Sequence, residues 1–451
     1  MKRTLEDILN NSHKASLFPT LPESKKEERA TSILLAAFRV VPQFAADVFK
    51  EAGFPASKKP KVECYTEVSF DENNNTKNDK EASRPDGLIC VSYNGRQWVA
   101  LIESKIGNNE HTQEQLERYL DIAREYSLDA VISISNQFVS VPSHHPVKIN
   151  KTKTKSVGLF HYSWLSILAK ALILIENAEV DDPEQAFIIE ELVRYFENKE
   201  SGVTTFIRMN SSWKAVVLSV QQKTKLNKTS PEVIGAVDSW QQLQKYLALH
   251  LSQLLKQHVY LHLSRTRSKD AQLNLKMDVD DLVSVDEVLR SEFSIPNAAS
   301  KLKFEADFAR RNITFSMKLE APKDKKFATA SINWLTRQLK DSDYTNIDVS
   351  AQWPGKTATS QMPLVRVIED PTCLIPDGIK NIPLAIEVSS TTDMAGKFSA
   401  SSKFVEIVVA EIDKFYQNVG QSLSPWIAKP PKMPSRQEVE IVVSQDSELV
   451  V

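Results

Sequence analysis

Residues 84–105, RPDGLICVSYNGRQWVALIESK, set two apolar runs on either side of a polar centre. The runs LICVSY and RQWVALIES read as strands around Asn94-Gly95, a pair that tolerates positive φ and favours a two-residue hairpin turn. Upstream, residues 23–53 (ESKKEERATSILLAAFRVVPQFAADVFKEAG) place Leu34, Leu35, Phe38 and Val41 at helical spacing, with Gly53 just past the end. Pro42 predicts a kink or a split in that helix, because it cannot donate the interior hydrogen bond. VECYTEVSF (62–70) alternates like a strand, and DENNNTKNDKEAS (71–83) is a polar loop with nothing to place in a core. HTQEQLERYLDIAREY (111–126) puts Leu116, Tyr119, Leu120 and Ala123 on one helical face. DAVISIS (129–135) reads as a buried strand, and VGLFHYSWLSILAKALILIENA as a short strand followed by a helix. Residues 21–177 therefore form a mixed α/β domain, preceded by an N-terminal arm (1–20) with a short helix.

The pattern changes beyond this domain. DDPEQAFIIEELVRYFENKESG (181–202) is a charged amphipathic helix started by Asp-Asp-Pro, and 178–203 reads as a helical connector. Residues 204–430 mix types into a further α/β or α+β region of unassigned role. Helices are expected near 211–222, 237–257, 325–340 and 401–418, and strands near 258–264, 272–277, 302–307, 312–319, 346–353 and 383–388. The tail, 431–451, reads as flexible: a Pro-rich stretch and then a strand-like one. No internal repeat and no glycine-rich phosphate loop is present; the chain has 11 glycines.

Composition sets outer limits. At roughly 150 residues per domain, 451 residues imply two or three domains. The formal net charge of −2 means that any nucleic-acid binding must use a local basic patch. Three cysteines (Cys64, Cys90, Cys373) with no CxxC pair exclude a disulfide framework and a zinc finger, and Cys64 and Cys90 read as buried thiols. MKRTLEDILNNSHK lacks the apolar core of a signal peptide. The longest apolar stretch, SWLSILAKALILI (163–175), is too short to span a bilayer and carries Lys170. The expected setting is cytoplasmic, without a membrane partner.

The charged residues of the opening stretch then acquire a geometry. A two-residue turn at Asn94-Gly95 pairs Tyr93 with Arg96 and so sets Asp86 opposite Glu103. Directly opposed residues have Cβ atoms roughly 4.5–5.5 Å apart, and two carboxylates that close repel unless a positive charge joins them. Lys105 lies two residues after Glu103, on the same face, while Ser104 points to the other. A small cluster of hard oxygen ligands suits Mg²⁺ or Mn²⁺. A neighbouring lysine can position or deprotonate a water, or offset charge at phosphorus. For any single pair the plain alternative is a surface salt bridge; the joint pattern favours a site.

Pro85-Asp86 followed, after an apolar strand, by Glu103-Ser104-Lys105 resembles the PD-(D/E)XK nuclease superfamily. The likeness covers about residues 21–177. It implies a restriction-endonuclease-like mixed sheet flanked by helices and a metal-dependent phosphodiesterase, acting on DNA more than RNA as an endo- or exonuclease. By the same resemblance Asp86, Glu103 and the Ser104 backbone carbonyl hold the metal, and Lys105 is catalytic. An acidic residue on the first helix matches Glu28, with Glu27 as a neighbouring candidate. A glutamine on the helix after the second strand, with a tyrosine one turn on, matches Gln115 and Tyr119, with Gln113 as the rival. The C-terminal region then serves recognition or regulation, and bacterial defence or nucleic-acid processing is the implied setting, with a homodimer or a defence-system protein as partner. The alternative is a non-catalytic module of the same fold that binds nucleic acid or protein.

Weaker signals remain. Lys148, Lys151, Lys153 and Lys155 follow the VISIS strand and are candidates for phosphate contacts; a solvated loop is the equal alternative. The adjacent His144 and His145 diverge in direction and do not read as a metal pair. Asn136, at the strand end, reads as a packing or turn residue.

Overall fold

The computed structural model describes residues 4–10, 12–22, 24–55, 60–70, 84–283, 286–340, 342–343 and 345–427. The polar loop 71–83 and the tail 431–451 lie outside these. Among the described residues the fold is mixed α/β, with a six-stranded and a seven-stranded sheet. No single helix among the described residues is long and apolar enough to cross a membrane. The chain divides into two compact units: residues 1–316 with 390–417, and residues 317–389 with 418–451.

In the first unit the order runs α1 (Leu5–Asn10), β1 (His13–Lys14), α2 (Lys26–Val40), α3 (Pro42–Phe49), β2 (Lys61–Thr66), β3 (Gly87–Tyr93), β4 (Arg96–Ser104), α4 (Gln113–Glu125), β5 (Ala130–Ser135), β6 (Gly158–Ser163), α5 (Trp164–Glu176) and α6 (Pro183–Glu197). The first sheet has the strand order β1-β2-β3-β4-β5-β6. β1 to β4 pair antiparallel; β4, β5 and β6 run parallel. Asn94 and Gly95 both have positive φ, 45° and 73°, as the tight hairpin turn requires, and Tyr93 faces Arg96. Pro42 starts a new helix, so the expected split falls between α2 and α3.

Each face of this sheet is covered by helices that its sequence pattern demands. On one face Leu34, Leu35 and Phe38 of α2 pack with Ile89, Ile102, Ile132 and Ile134. On the other, Tyr119, Leu120 and Ala123 of α4 pack with Leu88, Val99, Leu101 and Val131. Cys64 and Cys90 are buried free thiols. The arm is partly built in: β1 pairs with β2, and Ile8 is buried against Leu88 and Leu101. The expected connector is not a linker: Ile189, Leu192, Val193 and Phe196 of α6 are buried in the same core as α2, because that helix has an apolar stripe to cover.

The first unit continues with α7 (Ser211–Gln221), α8 (Pro231–Leu255), β7 (Tyr260–Leu261), α9 (Arg265–Lys269), α10 (Ala271–Val283), β8 (Val288–Ser294), β9 (Leu302–Asp307) and the start of β10 (Asn312–Glu320). The strand expected over 272–277 is instead α10. Asp270 accepts from the amides of Gln272 and Leu273 and starts the helix, which then buries Asn274, Asp278 and Leu282 along one side. β8, not expected from the sequence, pairs antiparallel with β9. The second unit holds α11 (Ala328–Thr336), β11 (Ile347–Gln352), β12 (Ser360–Pro363), α12 (Leu364–Glu369) and the start of β13 (Ala385–Asp393), with β11 and β12 antiparallel. The chain re-enters the first unit along β13 and continues there through α13 (Ser401–Asn418), at whose last residue it returns to the second unit.

Gly87 sets how closely α2 lies on the hairpin. A Cβ there would collide with Leu35 Cδ1 and stand 3.1 Å from the Tyr65 carbonyl oxygen. Gly87→Ala is expected to cost about 1–3 kcal/mol of unfolding free energy, as overpacking does, read by urea denaturation; a loss within about 0.5 kcal/mol, the range of a neutral surface change, would show that α2 does not press on β3.

Candidate functional site

The site forms where β3, β4, β5 and α4 meet at one end of the sheet. In the parallel part, the carboxyl ends of the strands and the start of the following helix coincide, which is where open α/β sheets expose their crevices. The hairpin register carries Asp86, just before β3, to Glu103: the Asp86 amide lies 3.4 Å from Glu103 Oε2. Asp86 Oδ2 accepts from the Ser104 amide at 2.8 Å and from Ser104 Oγ at 3.1 Å.

Lys105 draws the rest together. Its Nζ donates to Glu103 Oε1 at 2.8 Å, to Glu27 Oε1 at 2.8 Å and to the Ser104 carbonyl at 3.0 Å. Its backbone is fixed on both sides, with the amide donating to the Ile134 carbonyl (2.7 Å) and the carbonyl accepting from Trp164 Nε1 (2.9 Å). From α4, Gln115 Nε2 donates to Glu103 Oε1 at 2.6 Å. Thr112 caps α4 by accepting from the Gln115 amide. Tyr119 Oη stands behind Gln115 and donates to the Arg84 carbonyl at 3.1 Å.

Two alternatives resolve. Glu27, not Glu28, reaches the lysine: it lies one turn before Thr31, whose Oγ1 meets Ser104 Oγ at 2.5 Å, so that stripe of α2 faces the strand end. Glu28 points elsewhere and pairs with Lys25 at 3.3 Å. Gln115 faces Glu103, whereas Gln113 is exposed and donates to Glu117 on the outer side of α4.

The lysine loop does not join the site. Lys153 pairs with Asp121 and Lys151 with Asp270, and the Asn150 amide donates to Glu117. Glu117 and Asp121 are on the outer face of α4, so Lys151 and Lys153 are held on the far side of that helix from Gln115, and Lys148 and Lys155 belong to the same loop. Asn136 ties loops together, donating to the carbonyls of Gly107 and Gly202.

A polar row extends the site across the sheet. Glu103, Ser133 and His161 are register partners on β4, β5 and β6, and so share the α4 face. His145 Nδ1 accepts from the Val147 amide, so its Nε2 carries the proton and donates to Ser133 Oγ (2.7 Å). Ser133 donates on to His161 Nδ1 (2.8 Å), and His161 Nε2 to the Gln137 carbonyl (3.1 Å). The His111, His145 and His161 rings stand 5.3–6.3 Å apart between centroids. Burial pushes His161 down to about 4 and His111 to about 3, so all three are neutral at pH 7. The tell-tale in the sequence was polar residues alternating within DAVISIS and GLFHYS, but parallel register is not written in either strand alone.

Electrostatics follow from this crowding. Burial, and then the charge of Glu103, push Asp86 well above the usual carboxylate range against the pull of Lys105. Burial raises Glu103 as well, although Lys105 opposes it. Burial pulls Lys105 down, but the charges of Glu103 and Asp86 outweigh it and hold the ammonium above its ordinary range. Three carboxylates gather around one lysine, so negative charge is in excess when all are ionised. Among the described residues no three or more His, Cys, Asp or Glu side chains form a ready metal cage. The donor set here is two carboxylates and a carbonyl, all oxygen, which suits an ion that keeps several waters.

Comparison of the chain with family models, with curated proteins and with solved structures gives no match.

Because Asp86 has a raised value when folded, the native state binds more protons than the unfolded chain from about pH 4 upward to that value, and the ionised carboxylate costs stability above it. Asp86→Asn removes the charge and keeps an acceptor for the Ser104 amide. It is expected to be more stable than the parent protein at pH 7–8, with the advantage fading as the pH approaches about 4. Urea midpoints across this range check it; a loss of stability that is the same at every pH would contradict it.

Proposed function

We propose that Asp86, Glu103 and Lys105 form a phosphodiester-hydrolysing centre on a restriction-endonuclease-like frame, acting on DNA in preference to RNA and using Mg²⁺ or Mn²⁺. The observation that carries this reading is the hairpin register, which joins Asp86, Glu103 and Lys105 in one partly buried cluster. The oxygen-only donors and the excess negative charge fit a divalent cation. Asp86, Glu103 and the Ser104 carbonyl would hold it, with Glu27 in place of Glu28 as the further carboxylate. When bound, the ion would polarise the scissile phosphate and lower the pKa of an attacking water.

The protein's own groups supply the rest. The charges of Glu103 and Asp86 favour the protonated Lys105, whose ammonium would donate hydrogen bonds and offset charge developing at phosphorus. Gln115 orients the Glu103 carboxylate, and Tyr119 backs Gln115 while fixing the Arg84 carbonyl. The second reading, a non-catalytic module that binds nucleic acid or a partner protein, is favoured by one feature: the Lys105 ammonium already satisfies Glu103, Glu27 and the Ser104 carbonyl.

Incubating the full chain with supercoiled, linear and single-stranded DNA and with RNA separates the readings. Cleavage of DNA is expected with Mg²⁺ or Mn²⁺, none with EDTA, and a fall of about a hundredfold or more in Asp86→Ala and Lys105→Ala, the scale of losing a charge-stabilising group. Cleavage indifferent to both substitutions would remove the site assignment; salt-sensitive binding without cleavage would favour the module.

A further inference from the structure

A cleft of about 740 Å³ leads to Asp86 from the side of the N-terminal arm, and His13, Lys14, Lys25, Glu28 and Arg84 are among the residues along it. The arm is fastened, not loose. The Ser16 amide donates to Ser32 Oγ, which donates back to the Ser16 carbonyl, both at 3.0 Å, and an Arg29 guanidinium nitrogen donates to the Leu21 carbonyl. Between these anchors, beside the cleft residues Ser16 and Pro19, stands Phe18. Its amide is held by Ser16 Oγ, yet the residue is 90% exposed. A lone exposed aromatic is unremarked on most surfaces. Here it sits on a pinned segment, in the chain between Ser16 and Pro19, which line a cleft that reaches Asp86 of the carboxylate cluster. Arg84 is two residues from Asp86 in that cleft, and its guanidinium makes no ion pair among the described residues.

We propose that this cleft binds single-stranded nucleic acid, with Phe18 stacking on an unpaired base and Arg84 contacting a phosphate next to the one at Asp86; the proposal rests on the phosphodiesterase reading of that cluster. The charges favour a single strand over a purely electrostatic groove. Lys25 is paired with Glu28, Lys14 with Glu63 and His13 with Glu67, so among the described residues of the cleft Arg84 is the cation left for phosphate, and stacking must supply much of the rest. A base inside a duplex has no open face for Phe18, which confines the fit to single strands and unpaired ends.

Anisotropy titrations in EDTA, with labelled single-stranded DNA, single-stranded RNA and duplex DNA of one sequence, test this apart from catalysis. Phe18→Ala is expected to weaken single-strand binding about 5- to 150-fold, the range for one lost base stack, and Phe18→Trp to restore it. Arg84→Ala is expected to reduce the slope of log affinity against log salt by about 0.7, one phosphate contact. Comparing the DNA and RNA arms identifies the sugar. The proposal falls if Phe18→Ala binds single strands like the parent, or if duplex DNA binds as tightly as either single strand. Binding that depends on Phe18 in a protein that never cleaves would leave the cleft standing and remove the hydrolytic reading alone.

Discussion

Taking Glu103 and Asp86 out of water is costly unless a positive charge meets them, and Lys105 is the group that does so. Its ammonium reaches Glu103 on β4, Glu27 on α2 and the carbonyl of Ser104, so one side chain ties the helix on one face of the sheet to the strand end shared with the other. The surrounding structure serves that contact. Ile134 and Trp164 hold the lysine's backbone, Gln115 holds Glu103, and the Ser104 amide holds Asp86. The balance is incomplete, because the carboxylates outnumber the lysine. Charge left in excess in a partly buried place is a stability cost of the kind that functional sites retain.

Much of this was legible along the chain because local rules decided it. Asn94-Gly95 admits a turn that few other pairs allow, and the turn alone fixed which residues of the hairpin face each other. Pro42 had to break a helix wherever the chain placed it. The phase of α2 was harder. Glu27 and Glu28 both belong to the first turn, and only the packing of Thr31 on Ser104 chooses between them. The Ser133–His161 row was hidden for a different reason. Parallel strands are joined by long crossovers, here α4 between β4 and β5 and the irregular segment 136–157 between β5 and β6, and no turn residue announces their register. α10 misled because AQLNLKM alternates over a window too short to distinguish the two periods, while the decisive signal was the Asp270 cap. The lysines at 148–155 show the limit of charge counting: proximity along the chain to a site strand placed them on the outer side of α4.

The same geometry assigns different characters to the two halves of the polar row. At Glu103 the groups are charged, and a lysine and a glutamine meet a carboxylate. At Ser133 and His161 they are neutral, directional and already satisfied, so that end can hold position without adding charge. The charged groups of the cluster and the glutamine that meets them are therefore confined to the hairpin end, the start of α4 and the first turn of α2.

The central claim is that this cluster accepts a divalent cation through Asp86 and Glu103. Mn²⁺ binding followed by electron paramagnetic resonance, with Mg²⁺ as competitor, measures it without reference to any substrate. The account predicts a bound Mn²⁺ that Mg²⁺ displaces and that Glu103→Gln abolishes. Undiminished Mn²⁺ binding in Glu103→Gln, or none in the parent protein at millimolar ion, would contradict it.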